Sequence, residues 1–488
     1  MYRKIRITLA TIIFLGMVLL FLDFTGSVHA WLAWMSSMQF IPAVLSANLV
    51  VVGIILLLTL VFGRAYCSVI CPLGIWFDSV AWVGLKAKKN RYTYSPALKW
   101  LRIAMLVLFV IAMVAGISSV IVLLDPYSTF GLFMAELFAP IYYIVNNLLA
   151  QLAEQMGSYS IYETDVWLKS IVSLVTAITL FVVMGILAWR NGRTYCNTIC
   201  PVGTVLGYLS QFSLLAQVID TNKCNGCTRC ARNCKASCID AKNHAIDYTR
   251  CVVCMDCIDN CSQHAIQYRL RYSKKNTPES EISNSRRKFL SIGAIIATTP
   301  IVNAQAKVDG GLAVIEDKKI PQRATRIIPP GAGDIHSFER HCTACQLCVA
   351  ACPNEVLRPS QQLDSLLQPH LSYERGYCRP ECIKCAEVCP TDAIKLIDLA
   401  EKSSIQIGHA VWIKENCIAH TRGVKCNNCE RHCPVGAIQM ITPEGGNGTP
   451  IPCVDTERCI GCGACENLCP ARPFSALYVE GHKQHRIV

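Results

Sequence analysis

Of the 30 cysteines in this 488-residue chain, 24 fall into six short motifs, and their spacing constrains the fold more than any other feature. The first two motifs are Cys224-x2-Cys227-x2-Cys230-x3-Cys234 and Cys251-x2-Cys254-x2-Cys257-x3-Cys261. Three thiolates on a tight loop hold three corners of an iron–sulfur cubane. The fourth cysteine opens a helix that points at the neighbouring cluster, so ligation crosses over. Cys224, Cys227, Cys230 and Cys261 are expected to hold one 4Fe–4S cluster, and Cys251, Cys254, Cys257 and Cys234 the other. Zinc would instead favour paired Cys-x2-Cys or added histidines. Lys235 and Ser262 stand where proline usually follows the fourth cysteine, and Cys238 is an alternative ligand to Cys234.

Four more motifs follow: Cys342-x2-Cys345-x2-Cys348-x3-Cys352, Cys378-x3-Cys382-x2-Cys385-x3-Cys389, Cys417-x8-Cys426-x2-Cys429-x3-Cys433 and Cys459-x2-Cys462-x2-Cys465-x3-Cys469. Each ends in Cys-Pro. They imply four further clusters in two ferredoxin-like halves, six in the chain. The widened gaps in the second and third of these motifs suggest that those two pair. Cys238 and Cys453 are left over and read as buried small apolar residues. The chain contains no Cys-x-x-Cys-His, Gly-x-Gly-x-x-Gly or P-loop, so attached c-type haem and nucleotide chemistry are not expected.

Composition brings in the membrane. Apolar residues make up 52% and charged residues only 16%, against about 25% charged in soluble domains. Residues 5–24, 41–62, 103–124 and 166–189 are each apolar over the about 20 residues that a bilayer requires. Arg3, Lys4 and Arg6 precede the first stretch, Lys86, Lys88, Lys89 and Arg91 follow the second, and Arg190 and Arg193 follow the fourth, which marks those ends as cytoplasmic. From Asp125 to Asp165 there are acids but no Lys or Arg, so this segment is expected outside. Within it, residues 131–150 carry Glu136, Pro140, Asn146 and Asn147 and read as an amphipathic or re-entrant piece on the outer surface. The net charge of +12 is spread in short clusters beside apolar runs, so nucleic acid is not an expected partner.

The membrane part is duplicated. Gly63-Arg-Ala-Tyr-Cys-Ser-Val-Ile-Cys-Pro-Leu-Gly74 returns as Gly192-Arg-Thr-Tyr-Cys-Asn-Thr-Ile-Cys-Pro-Val-Gly203, identical at eight of twelve positions. A pseudo-twofold between two hairpins would bring Cys67, Cys71, Cys196 and Cys200 to one place. They read as ligands of an iron–sulfur centre or another soft metal, as catalytic redox thiols, or as small packing residues. The expected architecture is a four-span all-α membrane domain (1–215) and a cytoplasmic α+β dicluster ferredoxin domain (216–275). A linker (276–306) and an exported four-cluster ferredoxin domain (307–488) complete it. Within the linker, Ser285-Arg-Arg-Lys-Phe-Leu-Ser291 and Asn303-Ala-Gln-Ala306 resemble a twin-arginine export signal, with a basic stop beside a short buried helix as the alternative.

At these motifs the chain resembles two proteins joined end to end, the membrane subunit and the exported four-cluster ferredoxin subunit of the quinol-dehydrogenase module of periplasmic nitrate reductase. The resemblance implies a multi-pass protein of the bacterial inner membrane that oxidises menaquinol from the quinone pool during anaerobic respiration. Its acceptor would be a periplasmic reductase or c-type cytochrome. His29, Asp125 and Glu136 are ionisable residues expected near the outer face, as proton acceptors or as interfacial polarity. Trp31, Trp34, Tyr127, Tyr142 and Tyr143 read as interface anchors or quinone contacts. Two other readings remain open: a reductase of copper in metalloenzyme assembly, and a wholly cytoplasmic polyferredoxin.

Overall fold

The computed structural model describes residues 2–23, 27–87, 92–158, 163–164, 166–271, 317–442 and 448–487. The linker and twin-arginine segment lie outside these residues, as do Lys88, Lys89, Arg91 and Asp165. Apolar side chains all round its axis, with basic residues only at Arg3, Lys4 and Arg6, make α1 (Tyr2–Leu22) long enough to cross a membrane. Two further helices reach that length, 126–155 and 171–191.

The other expected spans are broken. Residues 41–62 form α2 (Phe40–Leu45) and α3 (Leu49–Phe62), because Ala47 turns the chain with φ 52° and the Asn48 side chain caps α3 at Val51 N. Residues 103–124 form α4 (Lys99–Ala115) and α5 (Ser118–Leu124), separated by Gly116 in the left-handed region at φ 73°. The fourth helix starts at 171 rather than 166, where Ser170 caps it. The piece expected at 131–150 is helical. These residues lie inside α6 (Pro126–Gln155), which is apolar and long enough to span. A π turn at Met134–Phe138 interrupts α6 and places Pro140 near the start of the following α segment, where its missing N–H leaves no gap.

The two repeats correspond element by element. In the first, α3 leads through Tyr66–Val69 to the helix Pro72–Ala87; in the second, α7 (Ile171–Asn191) leads through Thr194–Thr198 to Pro201–Leu209. A ferredoxin unit packs on each end of this bundle. At the start of α4, Arg102 donates to Thr249 Oγ1 of the proximal unit at 2.9 Å; at its end, Gly116 lies against Arg340 of the distal unit. Fourteen residues of helix separate those contacts by about 21 Å. The proximal unit is closed by β1 (Leu215–Ile219) antiparallel to β2 (Ile266–Leu270). The distal unit has three such pairs, of which β3 (Leu357–Pro359) with β4 (Pro369–Leu371) lies in its bundle-facing half.

Candidate functional site

Cys67, Cys71, Cys196 and Cys200 meet. They line one small void in the middle of the bundle, with Tyr66, Leu73, Gly74, Pro126 and Val202 completing a wall whose residues are all buried. The Cys-Pro step explains the local fold: proline opens each following helix, which leaves the second cysteine as its cap. Gly203 N–H donates to Cys200 Sγ at 3.4 Å, and Gly74 N–H serves Cys71 likewise. Neither glycine is replaceable without movement. A Cβ at Gly74 would fall 2.3 Å from Cys67 O, and one at Gly203 would fall 2.1 Å from Cys196 O.

The arginine of each repeat crosses to the other. Arg64 Nη2 lies 3.8 Å from Cys67 Sγ and donates to Cys196 O at 3.1 Å, while its Nη1 donates to Asn197 Oδ1 at 2.9 Å. Arg193 Nη1 lies 3.9 Å from Cys196 Sγ and donates to Cys67 O at 2.8 Å. Both guanidiniums are fully buried. Reading the repeat as cysteine spacing alone missed them, although Arg64 and Arg193 are identical positions of that repeat. Four thiols, two buried cations and amides aimed at sulfur fit a polynuclear iron–sulfur centre, whose thiolates bring excess negative charge. Among the described residues no three His, Cys, Asp or Glu close on one point as a single metal ion needs.

The ferredoxin units present similar voids. Cys224, Cys227, Cys230 and Cys261 line one. Cys251, Cys254 and Cys257 line another with both Cys234 and Cys238, whose sulfurs are 3.5 Å apart. In the distal unit Cys342, Cys345, Cys348 and Cys389 surround a third. Cys352 stands with Cys378, Cys382 and Cys385. Cys433 stands with Cys459, Cys462 and Cys465, and Cys469 with Cys417, Cys426 and Cys429. The first distal motif therefore pairs with the second and the third with the fourth, which corrects the expectation from the widened gaps. Cys378 N–H donates to Cys462 O at 2.9 Å and joins the two halves. Cys238 is buried as expected, but Cys453 is exposed on its strand.

The central void is one layer from each unit. Pro126 lines it, and a Cβ five residues along α6 at Gly131 would fall 2.1 Å from Cys345 O. That is about 7.5 Å of helix rise. Towards the other end, Arg193 N–H donates to Lys235 O at 2.8 Å, next to Cys234. Lys235 Nζ reaches Asp256 at 3.1 Å and Asp78 at 3.7 Å, and Asp78 also binds Arg6 at 2.7 Å and Arg193 at 2.9 Å.

The ionisable residues expected at the outer face have separate fates. His29 Nδ1 pairs with Asp23 at 2.9 Å. Asp125 caps α6, accepting from Tyr127 N, Ser128 N and Ser128 Oγ. Glu136 sits on the π turn and accepts from Ser173 Oγ at 2.8 Å. Trp31, Trp34 and Tyr142 are exposed, as anchors would be, whereas Tyr127 is buried and packs on Phe21. Tyr143 lines a cleft against the distal unit.

Comparisons with known proteins agree with this arrangement. The profile of a 4Fe-4S binding domain matches residues 46–91 and 171–217, one match on each repeat, and that of a 4Fe-4S dicluster domain matches 422–472. The methylamine utilization ferredoxin-type protein MauM of Methylophilus methylotrophus is 32% identical over 36% of this chain and 75% of its own length. The ferredoxin-type protein NapG of Escherichia coli is 29% identical over 36% of this chain and 77% of its own, and NapF of the same organism 29% over 27% and 74%. No solved structure matches. By these relatives and the cysteine sets its fold assembles, the chain belongs to the ferredoxin-type 4Fe–4S proteins.

Proposed function

We propose that this protein carries electrons from menaquinol through iron–sulfur clusters to a reductase or c-type cytochrome outside the cytoplasm, uniting in one chain a membrane subunit and an exported ferredoxin subunit. The basic residues at the proximal end support a cytoplasmic proximal unit, and the twin-arginine segment supports an exported distal unit. Each cluster would supply the uptake and release of one electron at a time. Six clusters would occupy the ferredoxin sets and a seventh the void of Cys67, Cys71, Cys196 and Cys200.

One observation carries the reading: a sealed four-thiol void lies between ferredoxin units at opposite ends of an apolar bundle. A copper-reducing site needs a route for the ion, and every residue around these thiols is buried. A buried relay needs none. Arg64 and Arg193 would hold the charge of that centre inside the bundle, and Gly74 and Gly203 would donate to its sulfurs.

The test uses the full chain purified without oxygen. A menaquinol analogue should bleach the cluster absorbance that dithionite bleaches, and iron should approach about 28 atoms per chain, four per cubane. Replacing all four central cysteines with Ser should lower iron to about 24 and leave the ferredoxin clusters reducible by dithionite. Dithionite reduction with none by the analogue overturns quinol oxidation, and unchanged iron in the quadruple variant overturns the seventh centre. A reporter fused after Val488 should be active only outside, and Arg286→Lys with Arg287→Lys should trap it inside. Activity inside without those changes would favour the cytoplasmic polyferredoxin.

A further inference from the structure

Where the π turn of α6 faces the distal unit, a cleft opens with about 660 Å³ of room for a bound molecule. Small-molecule sites run from about 300 to 1,000 Å³ and combine apolar walls with a few placed polar groups. Here Glu136, Tyr143, Trp167, Lys169, Cys352 and Glu355 converge on the same space. The aromatic rings and Pro140 give it flat apolar surfaces, and Lys169 lies in the field of both carboxylates.

The walls are held in place. Trp167 Nε1 donates to Glu355 Oε2 at 2.6 Å, and the Arg358 and Arg375 guanidiniums cover its ring at 4.3 and 4.6 Å. Glu136 is 6% exposed and rests on a π turn, a local insertion that recurs at functional sites. A carboxylate buried on an apolar helix is costly unless it has a task. Beside the cleft, Ile141, Ile144 and Val145 of α6 are exposed, which gives a lipid-soluble molecule an apolar approach. The four-thiol void has far less room, and all of its lining residues are buried.

We propose that this cleft is the quinol site, with Glu136 as the proton acceptor and Cys352 as the nearest ligand of the electron-accepting set. This rests on the quinol-oxidising function proposed above. In the step, both hydroxyl O–H bonds of the quinol break and the ring becomes a quinone. One proton passes to the Glu136 carboxylate and the other to water at the open mouth, beside exposed Glu163 and Leu168. The two electrons leave singly to the iron–sulfur set of Cys352, Cys378, Cys382 and Cys385. Lys169 and Trp167 position the ring and its oxygens.

Two readouts test the proposal on the full chain. Glu136→Gln should lower the rate of cluster reduction by a menaquinol analogue about a hundredfold. Its half-saturating concentration and the dithionite-reducible cluster content should hold. Lys169→Met and Trp167→Leu should weaken binding of a hydroxyquinoline N-oxide quinol analogue, read from quenching of its fluorescence, by about tenfold. If the unaltered protein is reduced by quinol and all three variants match it in rate and binding, the cleft assignment falls and the quinol-oxidising function stands. If the unaltered protein is neither reduced by quinol nor binds the analogue, both fall.

Discussion

The two ferredoxin units attach to one bundle by different physics. The proximal unit is tied on by buried charge: Asp78 gathers Arg6, Arg193 and Lys235, and Asp256 gathers Arg3 and Lys235. The distal unit is fitted by shape, its Cys345 loop filling the space above Gly131 and its Leu367 packing with Val122, Leu132 and Ala177. The difference explains an anomaly of the motifs. Every distal motif ends in Cys-Pro, whereas the first proximal motif has Lys235 in that place. Proline there would have no ammonium to bridge Asp78 and Asp256, so the departure belongs to docking rather than to a decayed cluster motif.

Removing the charge hub should have the largest effect. Asp78→Asn leaves three cations around a neutral group, and breaking a buried ion pair from one side costs about 3–5 kcal/mol. Amide exchange should rise in β1 and β2 and hold in β3 and β4; equal loss at both ends would break the comparison. Gly131→Ala should act in the opposite place, because overpacking costs about 1–3 kcal/mol. It should loosen β3 and β4 alone, while Gly53→Ala, where an added Cβ meets nothing within 4 Å, should leave both units protected. Lys235→Met should cost less than Asp78→Asn, about 1–3 kcal/mol, since Arg3 stays on Asp256 and Arg6 and Arg193 stay on Asp78. Its iron content should hold, and loss of four atoms would return Lys235 to the cluster motif.

Much of this was legible in the sequence because the code is local. A Cys-x2-Cys-x2-Cys loop with a later cysteine states a ligand set by spacing, and the repeat at 63–74 and 192–203 states that two such pieces are equivalent. The broken helices were hidden for a physical reason. Apolar runs continue through Ala47–Asn48 and through Gly116 because the side chains flanking both turns stay apolar while exposed, Leu49 and Val50 after the first and Val114 and Ile117 around the second. Hydropathy reads that continuous apolar surface and not the path of the backbone beneath it. The pairing of distal motifs was also hidden, since gap length reports local loops and not which fourth cysteine crosses to which void. Arg64, Arg193 and Asp78 were invisible as a unit because their partners lie up to 185 residues away.

Acid should separate the units once more, by the smallest effect. In the distal unit, burial first and then the Arg323, Arg326 and Arg358 charges push His370 on β4 down to about 4. Unfolded histidine binds a proton near pH 6.5. Between pH 6.5 and about 4 the unfolded distal unit therefore holds more protons than the folded one, and stability falls as pH drops through that window. The slope for one proton cannot exceed about 1.4 kcal/mol per pH unit. In the proximal unit the sign is the same and the window lies lower. Although burial opposes it, hydrogen bonds from Thr249 and Arg250 hold the Asp247 carboxyl below its ordinary value of 3.8. The stability this contributes is present above that value and is lost only as pH falls through the lowered one. Amide exchange relative to its intrinsic rate should then rise in β3 and β4 from pH 7 to 5 while β1 and β2 hold, and His370→Gln should flatten the distal change. A parallel rise in both units, or a slope that survives His370→Gln, would remove histidine from the account.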